Sequence, residues 1–348
     1  MIGIHTFVLA LVLATTTITR AICPSAPPTH TITIAGSTTV QPFATAWGAA
    51  YSTLCPGATV TVSGGGSSSG AKRVCGVPPP TASPVDIGTM SRAWKTTEAS
   101  IGTPTYTYNC AIGIRPTVTQ IDVAIDGIVV ILKKGSLPAT CIAALGGLTF
   151  HQLRWIFSSY TTTYLISVGM PLSALPNNDY DDTTHYYSEL SASCPKIEIK
   201  LVGPTSVFGT HTYFLETILT GIGETFRTAC YFGTTSGAAT ITKVKSDPTG
   251  ASIGYVSYHM FNKVKTTISA VSLKNSAGYI IPTPTTIGAG TYPLSRCIYM
   301  NILSSTCAKT KAFIEHGMST LGTANVIAQG FSPIPVASRA IQNAKLPC

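Results

Sequence analysis

The chain has 348 residues, enough for one two-lobed protein or two ordinary domains, and 45% hydrophobic content supports a substantial core. Charged residues make up only 10% and the net charge is +9, a field that favours anionic partners or surfaces. No Lys/Arg-rich run and no basic stripe interleaved with aromatics is present, so nothing points to nucleic acid.

Residues 1–21 read as a secretory signal, with an apolar segment at 7–14 and small residues flanking a cut at Thr19-Arg20-Ala21. No other stretch reaches about 18 uninterrupted apolar residues, so a soluble, secreted or otherwise extracytoplasmic protein is expected. Ten cysteines follow the signal: Cys23, Cys55, Cys75, Cys110, Cys141, Cys194, Cys230, Cys297, Cys307 and Cys348. An even, scattered set in an exported chain implies that most are paired as disulfides. No C-x-x-C pair or His cluster has zinc spacing, so no metal and no cofactor is expected. Asn-x-Ser/Thr acceptors are absent.

In chain order, residues 31–35 (TITIA) predict a short strand that Gly36-Ser37-Thr38-Thr39 turns into a helix. Pro42 suits the first helical turn, and Phe43, Ala46, Trp47, Ala50 and Tyr51 fall on one face. Residues 58–74 (ATVTVSGGGSSSGAKRV) repeat the device: an alternating strand, a turn at Gly64, Gly65 and Gly66, then a helix from Ser67. Glycines permit the turn, and short hydroxyls gather where a helix leaves its first N–H groups unpaired. A third strand at residues 85–88 ends at Thr89-Met90-Ser91-Arg92. Helix N-termini with such side chains suit a small anion, and in open α/β sheets ligands sit beyond the carboxyl ends of strands.

Residues 121–132 (IDVAIDGIVVIL) form a buried-strand signature. Residues 148–157 read as a helix capped by Thr149, with His151 and Arg154 on a solvated face. The polar run 177–188 resembles a calcium loop only loosely and is taken as a surface insertion. Residues 197–202 (IEIKLV) alternate as a strand, and Gly209-Thr210 opens the helix that follows. A strand at 251–258, another within 292–303 and a helix at 309–318 complete an α/β alternation.

Two other motifs compete for the glycine-serine turn. Gly66-Ser67-Ser68-Ser69-Gly70 fits the G-x-S-x-G elbow of serine hydrolases in a strand–turn–helix context, although no spacing locates its Asp and His. A P-loop needs Lys followed by Ser or Thr directly after Gly70, and Ala71 stands there instead.

These stretches together resemble the PstS-like phosphate-binding proteins that serve phosphate ABC transporters and have the type 2 periplasmic-binding-protein fold. The matching motifs are residues 35–42 (AGSTTVQP), 66–72 (GSSSGAK) and Asp86-Ile87-Gly88 with Ser91-Arg92. Then come 126–130 (DGIVV), Leu148-Thr149 with Gln152-Leu153 and Ile156-Phe157, Gly209-Thr210 with Tyr213-Phe214, 253–256 (IGYV) and 292–296 (YPLSR). They run in the family's order over roughly residues 30–335. The resemblance implies an α/β protein of two lobes with an interlobe cleft. Lobe one would comprise residues 30–125 plus 255–345 and lobe two residues 126–254, with strands near 121–132 and 251–258 crossing between them. It assigns phosphate binding to Ser37, Thr38 and Thr39, to Ser67 and Ser68, to Ser91 and Arg92, and to Gly209 and Thr210. It also implies a non-catalytic role, a membrane phosphate transporter as partner and a monomer.

The fourth loop departs from the family pattern, because Val207-Phe208 replaces a carboxylate and a hydroxyl. Ser91 stands where the best-known members carry an aspartate. Arg92 is therefore expected to supply the formal charge through a bidentate contact to the anion. The alternative is a secreted interaction protein that kept the fold and lost the ligand.

Overall fold

Small-residue turns end the strands His30–Gly36 and Ala58–Ser63 and open the helices that follow them, whereas the turn that ends the strand Ile87–Met90 leads into another strand. The structure, a computed structural model, describes residues 23, 29–79, 81–219 and 226–348, so the signal expected at residues 1–21 lies outside the described residues. The described chain divides into two compact units. One holds the chain up to Ala124 with Ile298–Gln329 and Pro333–Cys348, and the other holds Ile125–Cys297 with Gly330–Ser332.

In the first unit β1 (His30–Gly36), α1 (Gln41–Leu54), β2 (Ala58–Ser63), α2 (Ser67–Val74) and β3 (Ile87–Met90) succeed one another. The strands β2, β1 and β3 are parallel neighbours, as two successive βαβ crossovers require. An antiparallel pair, β4 (Ala99–Ile101) and β5 (Thr107–Cys110), leads into the 17-residue β6 (Thr117–Lys133), and the unit boundary falls within β6. The buried face of α1 is Phe43, Ala44, Trp47, Gly48 and Tyr51. Gly48 belongs to it, where Ala46 and Ala50 were expected, because a Cβ there would meet the Val60 side chain of β2 at 3.0 Å.

The second unit contains α3 (Leu137–Ala144), α4 (Phe150–Phe157), α5 (Thr162–Ser167), β7 (Lys200–Pro204), α6 (Gly209–Leu219) and β8 (Tyr231–Thr234). It continues through α7 (Gly237–Ser246), β9 (Ser252–Ser257), α8 (Tyr258–Asn262), β10 (Ile268–Ala270), β11 (Leu273–Asn275), β12 (Gly278–Ile280) and α9 (Pro284–Gly288). Its sheet runs β6–β9–β7–β8, with β9 antiparallel to β6 and parallel to β7. The core is aromatic at its centre: Phe214 stacks on Tyr255 at 3.9 Å and meets Phe157 edge-on at 4.9 Å.

The chain returns through β13 (Ser295–Ile302), which pairs antiparallel with β3, and ends in α10 (Ser304–Met318), α11 (Thr320–Ala328) and α12 (Val336–Ala344) of the first unit. Trp47 of α1 sits over Gly317 of α10, where a Cβ would clash at 2.1 Å, and its indole N–H donates to Gly322 O at 2.9 Å.

Three differences from the sequence reading stand out. Residues 255–297 belong to the second unit, and β13 rather than the strand at 251–258 carries the return. A fully buried apolar strand looks the same whether it is central to a sheet or crosses between units, and β9 is central. His151 and Arg154 are half-buried rather than solvated, and Arg154 Nε donates to Ile218 O at 2.6 Å. The polar run at 177–188 is anchored, not merely superficial, because His185 and Tyr187 are buried.

Eight cysteines form four disulfides: Cys23–Cys55, Cys75–Cys110 and Cys307–Cys348 in the first unit, and Cys141–Cys194 in the second. Cys230, exposed, and Cys297, half-buried, lie outside them.

Candidate functional site

The parallel strands β1, β2 and β3 end side by side, and their three following turns meet in the first unit. Gly36, at φ +140°, is pressed against Thr89, and an added Cβ would lie 2.2 Å from Thr89 O and 2.8 Å from the Gly70 Cα. Only glycine fits such an approach. Backbone bonds lock the turns: Ser37 N–H donates to Thr89 O at 2.9 Å, and Gly66 N–H to Gly36 O at 2.8 Å.

The hydroxyls expected to bind the anion fall into two groups. Ser37, Ser67 and Ser91 are all at most 2% exposed and form one chain. Ser37 Oγ accepts from Thr39 N–H at 3.2 Å and donates to Ser91 Oγ at 2.9 Å, so its single proton is committed. Ser91 N–H donates to Ser67 Oγ at 3.1 Å, and the two hydroxyls lie 3.4 Å apart. Thr38 is exposed and Ser68 half-buried, which leaves these two side chains at the surface of the turns. Thr39 is buried. Ser67 and Ser68 open α2, whose cap residue Gly66 makes no side-chain cap bond.

Arg92, 2% exposed, does not carry an available fork. Nη1 donates to Ala93 O at 2.7 Å and Glu98 Oε2 at 2.9 Å, and Nη2 donates to Glu98 Oε1 at 2.7 Å and Ser68 Oγ at 2.9 Å. These bonds use all four terminal protons, so the bidentate contact expected toward an anion is made to Glu98 instead. Lys95 N–H also donates to Glu98 Oε2, at 3.2 Å. Sequence reading missed Glu98, which follows Arg92 by six residues in a loop without periodicity.

The fourth predicted loop lies in the second unit. Gly209 and Thr210 begin α6 and are buried, while Val207 beside them is 61% exposed. Thr210 Oγ1 accepts from Arg296 Nη2 at 3.1 Å, and Arg296 pairs with Asp126 at 2.8 Å, both ions almost fully buried. The Arg296 guanidinium also lies 5.7 Å from the Tyr213 ring centre. Burial raises the Tyr213 phenol above its ordinary value, and its O–H donates to Ser295 O at 2.5 Å. Asp126 and Arg296 were legible only as motif residues, without a role.

Ser68, central to the hydrolase motif, accepts from an arginine, a group that cannot take up its proton, so the elbow has no base in this bond. Among the described residues no group of His, Cys, Asp and Glu is arranged to hold a metal ion, and no helix is long and apolar enough to cross a membrane.

The chain is similar to several known proteins. The phosphate-binding protein PstS of Pseudomonas aeruginosa is 26% identical over 314 residues, covering 88% of this chain and 84% of that protein. A putative phosphate ABC transporter substrate-binding protein from Clostridium perfringens, solved with bound phosphate, superposes with a TM-score of 0.61 at 20% identity, covering 88% of this chain and all of that one. An ABC-type phosphate transport receptor from Vibrio cholerae gives 0.56 at 19% identity, covering 87% of this chain and 100% of the other. The sequence profile of the PBP superfamily domain matches residues 23–319, and the chain belongs to that family.

Proposed function

We propose that this protein binds inorganic phosphate or a similar tetrahedral oxyanion outside the cytoplasm, without catalysis, and passes it to a membrane phosphate transporter. The observation that carries the reading is the meeting of three turns at the ends of β1, β2 and β3, locked through Gly36, Gly70 and Thr89. Thr38 and Ser68 present hydroxyls there, and the first turn of α2 presents N–H groups, the donors a tetrahedral anion needs, while the Thr39 N–H is held by Ser37 Oγ. Ser37, Ser67 and Ser91 shape this surface, and Arg92 acts through Ser68. Gly209 and Thr210 offer the N-terminus of α6 in the second unit to the same class of ligand. Export is supported by the signal-like residues 1–21 and by four disulfides, which persist in oxidising compartments. The named phosphate-binding relatives supply the ligand class.

Equilibrium dialysis of the mature chain, from residue 22, against labelled phosphate and sulfate tests this. One saturable site is expected, with sulfate competing within about tenfold, because the one carboxylate bonded to these turns, Glu98, is committed to Arg92 and Lys95. Absence of saturable binding of either anion would leave the interaction-protein alternative standing.

A further inference from the structure

Resting on that reading, we propose that Glu98 is a positioning residue that withholds the charge and fork of Arg92 from the anion and turns Arg92 onto Ser68. The pair is bidentate, 2.7 and 2.9 Å, and buried, with the Arg92 side chain 1% and the Glu98 side chain 10% exposed. Its two formal charges cancel, so the three turns meet the anion with N–H and O–H dipoles rather than with an ion. Ser68 Oγ accepts from Arg92 Nη2, and a guanidinium cannot accept in return, so the Ser68 proton points away from Arg92 as a donor. Glu98 is itself fixed in two ways: its Oε2 accepts from Lys95 N–H, and its backbone N–H donates to Lys95 O at 2.9 Å. Affinity is thereby limited and made less sensitive to salt, since the charge nearest the anion is already neutralised.

The sign of the effect separates this role from a structural one. Removing the Glu98 charge leaves Arg92 charged and uncompensated beside Ser68, with its bonds to Ala93 O and Ser68 Oγ kept and the protons given to Glu98 loosened. The Glu98→Gln variant should therefore bind phosphate tighter, on the order of a hundredfold, the Coulomb effect of one uncompensated charge about 6 Å away, beyond Ser68, at a protein-surface dielectric. Its affinity should also fall more steeply with added salt than the wild type's. A carboxylate that merely held the loop together would give weaker binding with an unchanged salt slope, and that result overturns the proposal. In case Glu98→Gln fails to fold, the paired variant Arg92→Met with Glu98→Leu removes both charges together, a change buried ion pairs often tolerate. It also removes the Arg92 bond that orients Ser68, so phosphate affinity should fall only a few-fold, about the worth of one neutral hydrogen bond, and the salt slope should stay that of the wild type, since no net charge is lost. If Arg92 contacted the anion directly, the paired variant would lose roughly ten- to hundredfold, the worth of a charged hydrogen bond, and the proposal would fall. A wild type that binds no phosphate in the same dialysis overturns the functional reading itself, and this proposal with it.

Discussion

Replacing His185 by Phe should make the protein markedly more resistant to acid. The imidazole is 2% exposed and stacked on Trp155 at 4.0 Å with the rings nearly parallel, so Phe can fill its place. Burial, followed by the nearby Arg227 charge, pushes the His185 pKa from 6.5 down to about 3. The unfolded chain therefore takes up this proton first as pH falls, and stability is lost from about pH 6.5 until the folded state also protonates near 3. At about 1.4 kcal/mol per pH unit, that window is worth roughly 5 kcal/mol. Glu189 opposes it. Burial pushes the Glu189 carboxyl from 4.5 up to about 7, so ionising it costs stability as pH rises and acidification restores about 3 kcal/mol between pH 7 and 4.5. In the wild type the two effects nearly cancel down to pH 4.5, below which His185 alone erodes stability. In His185→Phe only the Glu189 gain remains. Urea unfolding in phosphate-free buffers from pH 7 to 3 should show the variant gaining on the wild type by roughly 5 kcal/mol across that range. A stability difference that stays constant with pH would refute the burial of a neutral His185.

Gly36→Ala should cost a few kcal/mol and abolish anion binding, because its Cβ would drive into Thr89 O at a positive φ; thermal melts and phosphate dialysis check both. Ser91→Ala should destabilise by roughly 1–3 kcal/mol, since the buried Ser37 hydroxyl loses its acceptor, and denaturant midpoints read this directly. Thiol titration of the denatured, unreduced protein should find the two cysteines outside the disulfides, Cys230 and Cys297, and in the folded protein the exposed Cys230 should react first. Four or more thiols would contradict the disulfide assignment.

The turns at Ser37–Thr39 and Ser67–Ser68 were legible because the signal is local, a strand, a glycine or hydroxyl turn, then a helix start; the Ser91–Arg92 turn has the strand and the hydroxyl but leads into β4 rather than a helix. Their meeting through Gly36, Gly70 and Thr89 follows from parallel strands ending together, which βαβ order implies. What side chains do at those turns was not legible. Ser37 and Thr38 are adjacent in sequence, yet one commits its proton to Ser91 and the other is exposed. Nor could spacing show that Glu98 takes the Arg92 fork, because an ion pair across a loop leaves no periodic trace. The strand at 251–258 misled for a related reason: uninterrupted apolar sequence reports burial on both faces, not position in the sheet.

A crystal of the mature protein grown with arsenate, whose arsenic can be located by anomalous scattering, tests the central claim most directly. The arsenic peak should lie at the turns of the first unit, with arsenate oxygens in hydrogen-bond reach of the Thr38 and Ser68 hydroxyls and of the first N–H groups of α2, and with Arg92 still paired to Glu98. A peak elsewhere, or none at arsenate concentrations that saturate dialysis, would contradict it.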